Sequence, residues 1–147
     1  MVQYDSGAHK TIKYGYQNPQ TAKAFSLFVK KVLIKAKIDP SEVTIVGMDG
    51  SSTFLAAFCK MRMPEMRFES SSKYRKDTLR LHTKYLIFAD DYFGCGLATN
   101  KLVSKIPSFT KPRLLCFYIA ASAKHEGVVK GIRNKGRCAS CDVFIMK

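Results

Sequence analysis

Residues 85–96 read Tyr85-Leu86-Ile87-Phe88-Ala89-Asp90-Asp91-Tyr92-Phe93-Gly94-Cys95-Gly96. Five apolar residues run without polar alternation, which suits a strand buried on both faces of a parallel sheet. The strand is expected over Tyr85 to Ala89, ending at Asp90-Asp91, with a helix from about Leu97 to Ile106. Adjacent carboxylates at the end of a buried strand are costly unless they face solvent or a ligand. They suit a sugar diol or a hydrated metal ion. Gly94 and Gly96 would let backbone approach a ligand closely. The following helix start offers free N–H groups and a positive dipole end, a natural phosphate site. Together these parts describe a ribose-phosphate site. An acidic strand end leading into an ordinary glycine turn fits the same residues.

Working outward, the flanking segments repeat the strand-helix alternation. Asn18-Pro19 reads as a helix start, with Asn18 as cap and Pro19 at the first position. Phe25, Phe28, Val29, Val32 and Ala36 then recur at helical spacing up to about Lys37. Lys23, Lys30 and Lys37 mark the opposite, solvated face, and Asp39-Pro40 ends the helix. Val43 to Gly47 reads as a buried strand, Met48 to Ser52 as a polar turn, and Thr53 to about Met61 as an apolar helix. Glu65 to Phe68 is a short extended piece. Residues 69–84 read as a mobile loop or edge hairpin, Leu114 to Ala120 as a third strand, and Val143 to Met146 as a last one. The alternation predicts an α/β fold with a mostly parallel sheet flanked by helices. The 147 residues suit one domain, with its core over about 20–120.

Lys and Arg number 25 against 11 Asp and Glu, a net charge of +14. The centre of the chain is near balance. The excess lies in the first 40 residues, in the segment around 73–84 and in the tail after 110. This charge makes RNA or DNA a natural partner. The basic, glycine-containing tail from Lys124 to Arg137 suits backbone contact, and Tyr4, Tyr14 and Tyr16 could stack on bases or pack over the core. The 46% hydrophobic content argues against wholesale disorder. No run approaches the ~18 apolar residues of a membrane span, and the start of the chain has no apolar stretch that would serve as a secretory signal. Five cysteines with no framework spacing suggest a reduced, cytoplasmic protein. Cys138-Ala139-Ser140-Cys141 has the spacing of half a zinc site, but no second pair exists, so it is read as two unrelated thiols with no metal.

The order of parts around residue 90 resembles the type I phosphoribosyltransferase family. That family has a hydrophobic strand, two acidic residues, two apolar residues and then a Thr-Thr-Gly-x-Thr loop. Leu86 to Ala89 match the strand, Asp90 and Asp91 the acidic pair, Tyr92 and Phe93 the apolar pair, and Gly96 the glycine. Val43 to Gly47 followed by Met48 to Ser52 is similar to the family's earlier strand and pyrophosphate loop. Residues 69–84 hold the place of its closing loop. The chain departs from the motif at Gly94, Cys95 and Ala98, where the family carries hydroxyls. Thr99 stands nearby as a substitute.

The resemblance implies a phosphoribosyltransferase-like fold that binds phosphoribosyl pyrophosphate or a related nucleotide and transfers the phosphoribosyl group to a nucleobase. It implies that Asp90 and Asp91 hold the ribose as the catalytic pair. Gly94, Cys95, Gly96, Leu97, Ala98 and Thr99 would hold the 5-phosphate, and Asp49, Gly50, Ser51 and Ser52 the pyrophosphate. Lys73, Arg75, Lys76 and Arg80 would be the loop cations. Magnesium would come with the substrate, a homodimer would be usual, and residues 1–18 and 121–147 would form a hood or basic extensions. The alternative is a catalytically decayed fold that binds nucleic acid through its basic faces.

Overall fold

The computed structural model describes residues 18–122 and 125–146. Tyr4, Tyr14 and Tyr16, Lys124 and residues 1–17 of the expected hood lie outside the described residues. Helix α1 (Pro19–Lys35) starts as its sequence predicts: Asn18 Oδ1 accepts from the Gln20 N–H at 2.9 Å, with Pro19 in the first turn. It ends earlier than Asp39-Pro40. Lys37 takes a left-handed conformation with φ 57°. Its N–H donates to the Ile34 carbonyl and that of Ile38 to the Leu33 carbonyl. This is a Schellman stop with Lys where Gly is usual. A short 3-10 turn (Pro40–Glu42) leads into β1 (Val43–Gly47), buried at every position.

The remaining elements are α2 (Gly50–Arg62), β2 (Arg67–Ser70), β3 (Tyr85–Phe93), α3 (Leu97–Ser104), β4 (Arg113–Ala121), α4 (His125–Asn134) and β5 (Ser140–Ile145). They build one five-stranded sheet in the order β2-β1-β3-β4-β5, and every pairing is parallel. Among the described residues no helix is long and apolar enough to cross a membrane.

One face of the sheet carries α1 and α2. Phe25, Val29 and Leu33 of α1 and Leu55 and Cys59 of α2 pack on Ile45, Ile87 and Phe117. Leu102 and Val103 of α3 and Val129 and Ile132 of α4 cover the other face, over Leu86, Phe88, Leu114 and Tyr118. Alternate residues of β3 thus serve opposite cores, which is why its sequence shows no polar alternation.

The observed elements differ from the expected ones in four informative ways. First, β3 runs four residues beyond Ala89. Tyr92 and Phe93 pair with Ala120 and Ala121 of β4, so the acidic pair sits within the strand rather than after it. Second, Gly50 to Ser52 form the opening turn of α2 rather than a loop. Third, the short extended piece lies at Arg67–Ser70 as an edge strand parallel to β1, and residues 71–84 hold no strand, so that segment is the loop and not the hairpin. Fourth, the core does not stop near residue 120. Helix α4 and strand β5 complete the second face and the sheet edge, so residues 125–146 are part of the sheet architecture rather than an added extension.

Gly96 shows how closely the tail is fitted. A Cβ on Gly96 would lie 2.2 Å from Val128 Cγ1 on α4, and Gly96 has φ +77°. Its lack of a side chain therefore serves helix packing as well as the turn. Gly96→Ala is expected to destabilise the fold, and Val128→Ala to restore part of the loss. About 1 kcal/mol should remain unrecovered from the positive φ. Urea denaturation of both single variants and the double variant measures this. Additive losses would show that the two residues do not meet.

Candidate functional site

The carboxyl end of β3 organises the site. Asp90 is half-buried, and Asp91 is only 3% exposed. Asp90 Oδ1 accepts from the Asp91 N–H at 2.8 Å and from Ser51 Oγ at 3.0 Å. Asp91 Oδ1 in turn accepts from the Tyr92 N–H at 2.8 Å. The Ser51 bond joins the first turn of α2 to the end of β3 and so ties the two strand-end segments together. Burial, reinforced by the neighbouring Asp91 carboxylate, pushes the Asp90 carboxyl up to about 8. The Asp91 N–H and Ser51 hydroxyl offset this only in part.

A cavity of about 410 Å³ opens beside this pair. It is lined by Asp90 to Thr99 along the chain, and by Lys73, Tyr74, Lys101 and Tyr118. The predicted ribose pair and the whole predicted phosphate loop thus face one space. Helix α3 begins at that wall with Gly96 in a left-handed conformation and no side-chain cap. Asn100 braces the turn. Its N–H and its side-chain amide both donate to the Gly96 carbonyl, at 2.8 and 3.0 Å, while Lys135 Nζ donates to Asn100 Oδ1 at 2.6 Å. The Thr99 hydroxyl shares a hydrogen bond with the Tyr118 hydroxyl, deep in the wall. Burial raises the Tyr118 phenol well above its ordinary range.

The loop predicted for pyrophosphate is placed differently. Asp49 has φ +61°, and α2 starts after it without a side-chain cap. Ser52 Oγ accepts from the Met48 N–H at 3.0 Å, so Ser51 and Ser52 both hold local structure. Of the predicted pyrophosphate residues, none lines the cavity beside Asp90, and Asp49 lines a second and wider one of about 950 Å³. Arg75, Lys76 and Arg80 line that second cavity too, and Lys73 faces the first. The cations of the predicted closing loop are therefore divided between two spaces.

That loop is also anchored. Leu79 is buried in the core beneath α3, and its N–H donates to the Lys105 carbonyl at 2.9 Å. Lys105 itself is buried, with Nζ donating to the Arg75 carbonyl. At the loop's start, the Ser71 N–H donates to the Gly47 carbonyl at 2.9 Å.

Sequence reasoning missed Tyr118, Lys101 and Tyr74. Tyr118 is the register partner of Asp90 on β4, so aligning the two apolar runs would have placed it there. Lys101 lies four residues after Leu97, one helical turn into α3. Tyr74 gave no signal. Its ring lies 5.0 Å from the Lys73 ammonium, which holds that cation near the cavity mouth.

Neither a family model nor a curated protein sequence matches this chain. Among solved structures, a crystal structure of adenine phosphoribosyltransferase aligns with it at a TM-score of 0.52 and 16% identity, covering 90% of this chain and 83% of that one. The fold is phosphoribosyltransferase-like. At that identity the likeness is one of fold. Among the described residues, no group of three or more His, Cys, Asp or Glu gathers to hold a metal ion.

The raised Asp90 carboxyl has a consequence for stability. The folded chain keeps a proton that the unfolded chain releases above pH ~4. Stability from this group is therefore full below that pH and is lost as pH rises through about 8. Asp90→Asn should raise the melting temperature relative to the native chain, by a margin that grows from pH 5 to about 8 and then levels off. Thermal melts across that range test it. A margin independent of pH would contradict it.

Proposed function

We propose that the protein binds phosphoribosyl pyrophosphate or a related ribose 5-phosphate nucleotide in the cavity beside Asp90. The observation that carries this reading is the meeting of two carboxylates, a glycine turn and an uncapped helix start around one space. The carboxylates suit the ribose hydroxyls. The N–H groups and dipole of α3 suit the 5-phosphate. Lys101 and Lys73 supply the positive charge. The family's hydroxyl donors are absent at Gly94, Cys95 and Ala98, and the Thr99 hydroxyl is engaged with Tyr118. Backbone donors and the two lysines would therefore do most of the phosphate holding.

The matching chemistry is phosphoribosyl transfer to a nucleobase. A base nitrogen forms a bond to the anomeric carbon as the bond from that carbon to the pyrophosphate oxygen breaks. Pyrophosphate departs with the electron pair. This chain's contribution would be orientation and charge stabilisation rather than covalent participation. Asp90 and Asp91 would fix the ribose, and the start of α3 would hold the phosphate end. Arg75, Lys76 and Arg80 stand in the adjacent cavity, where the leaving group's charge would be met.

Two adjacent carboxylates whose mutual repulsion helps raise Asp90 are a hard-oxygen donor pair, which suits magnesium. Asp90 and Asp91 would help hold magnesium brought in with the ligand, and the ion would supply charge neutralisation at the pyrophosphate.

Calorimetric titration with phosphoribosyl pyrophosphate, with and without magnesium, tests the reading. The native chain should give saturable heat, stronger with magnesium. The double variant Asp90→Asn, Asp91→Asn should lose it. Lys101→Ala should weaken binding by roughly tenfold, as expected for one charge-assisted hydrogen bond. No heat at millimolar ligand would overturn the proposal. Unchanged affinity in the double variant would place the ligand elsewhere.

A further inference from the structure

Helix α1 carries a second stripe that the fold does not use. Its core stripe, Phe25, Val29 and Leu33, packs on the sheet. At about 3.6 residues per turn, Leu27 and Ile34 fall along the middle of the opposite face. Both are exposed, Ile34 by 65%. Lys23 and Lys30 flank this apolar pair on one side, and Lys31 and Lys35 on the other, all four of them exposed. Lys37, in the left-handed stop of the helix, is exposed as well.

The end of α2 extends the face. Arg62 Nε donates to Ser26 Oγ at 2.8 Å, and Arg62 Nη2 lies 3.5 Å from the Lys23 carbonyl. Helix α1 contains no acidic residue. Asp39 and Glu42 stand beyond its end, at the cap and last position of the 3-10 turn. Among the described residues, no ion pair engages any of these cations. Lys31 and Lys35, one helical turn apart, repel each other. An anionic surface would relieve that repulsion, and an apolar layer just beneath it would cover the seam between the lysines.

We propose that this face of α1 docks the protein on a membrane surface carrying anionic lipid. The lysines sit among the headgroups, and Leu27 and Ile34 dip toward the acyl boundary. Two features favour lipid over nucleic acid. The seam is aliphatic, and a phosphate backbone has nothing that would bury it. The face also presents no exposed aromatic ring for a base to stack on. A second copy of the chain would set like charge against like charge.

The face lies outside the proposed site. None of its residues lines the cavity beside Asp90 or the wider one next to it. Docking here therefore does not rest on the nucleotide reading.

Co-sedimentation of the full chain with vesicles tests the proposal. Vesicles of phosphatidylcholine alone are compared with a three-to-one mixture of phosphatidylcholine and phosphatidylserine. The chain should sediment with the mixed vesicles only, and less so as salt is raised. Lys31→Ala, which keeps a strong helix former in place, should weaken binding about fivefold, the worth of one lysine near an anionic surface. Lys30→Glu with Lys31→Glu should abolish it. Ile34→Ser leaves the net charge unchanged and should still weaken binding several-fold. Lys130→Ala, at an exposed position of α4 over the other face of the sheet, changes the net charge as Lys31→Ala does and should leave binding intact. Equal losses in Lys31→Ala and Lys130→Ala would show a response to net charge alone and overturn the proposal. Equal binding to both kinds of vesicle would overturn it too, as would unchanged binding in Ile34→Ser. A labelled RNA oligonucleotide tests the rival occupant. RNA held through Lys30 and Lys31, with the mixed vesicles unbound even at low salt, would assign the face to nucleic acid instead. The native chain's behaviour with the two kinds of vesicle decides the matter without any variant.

Discussion

Burial of β3 on both faces is the constraint from which the rest of the arrangement follows. With α1 and α2 over one face and α3 and α4 over the other, no polar group can be placed along Tyr85 to Ala89 without loss. Polar chemistry is confined to the strand's carboxyl end. There Asp90 and Asp91 stand inside the hydrogen-bonded ladder rather than on a free loop. The strand fixes their positions, and the cost of burying Asp90 there, with Asp91 beside it, appears as its raised carboxyl. A bound proton offsets part of that cost, and a ligand or cation that gains from two held carboxylates would offset it further, as the proposed binding requires.

The same constraint assigns a structural role to the last part of the chain. Val128 of α4 fills the space where a Gly96 side chain would lie, and Lys135 braces Asn100 beneath the turn. The wall of the candidate phosphate site is thus shaped from behind by the tail. Basic residues there, which on composition alone suggest a nucleic-acid arm, include one that holds the site's turn in place. Part of the +14 charge accordingly serves local structure, as Lys135 and Lys105 do.

What was legible in the sequence follows from where each signal resides. The β3 run was plain, because five unbroken apolar residues have few other uses. Its extension to Phe93 was not, because it depends on the β4 backbone at Ala120 and Ala121, far away in sequence. Gly50 to Ser52 read as a turn because small polar residues serve loops and helix starts equally well. Asp90, Asp91 and residues 94–99 could be read as one group because they are contiguous, and they line one cavity. Tyr118 and Lys101 were missed because the fold brings them in from other elements. The loop cations were found as a group, but their division between two cavities depends on the anchoring of Leu79 and Lys105. No local pattern encodes that anchoring.

Mapping amide chemical shifts during titration with ribose 5-phosphate tests the central claim most directly, since it asks where a ligand of this class sits. The account predicts the largest changes at Asp90, Asp91 and the amides of residues 94–99, around the uncapped start of α3. Changes confined to Arg75–Arg80 or to residues 138–142, with those amides unmoved, would contradict it.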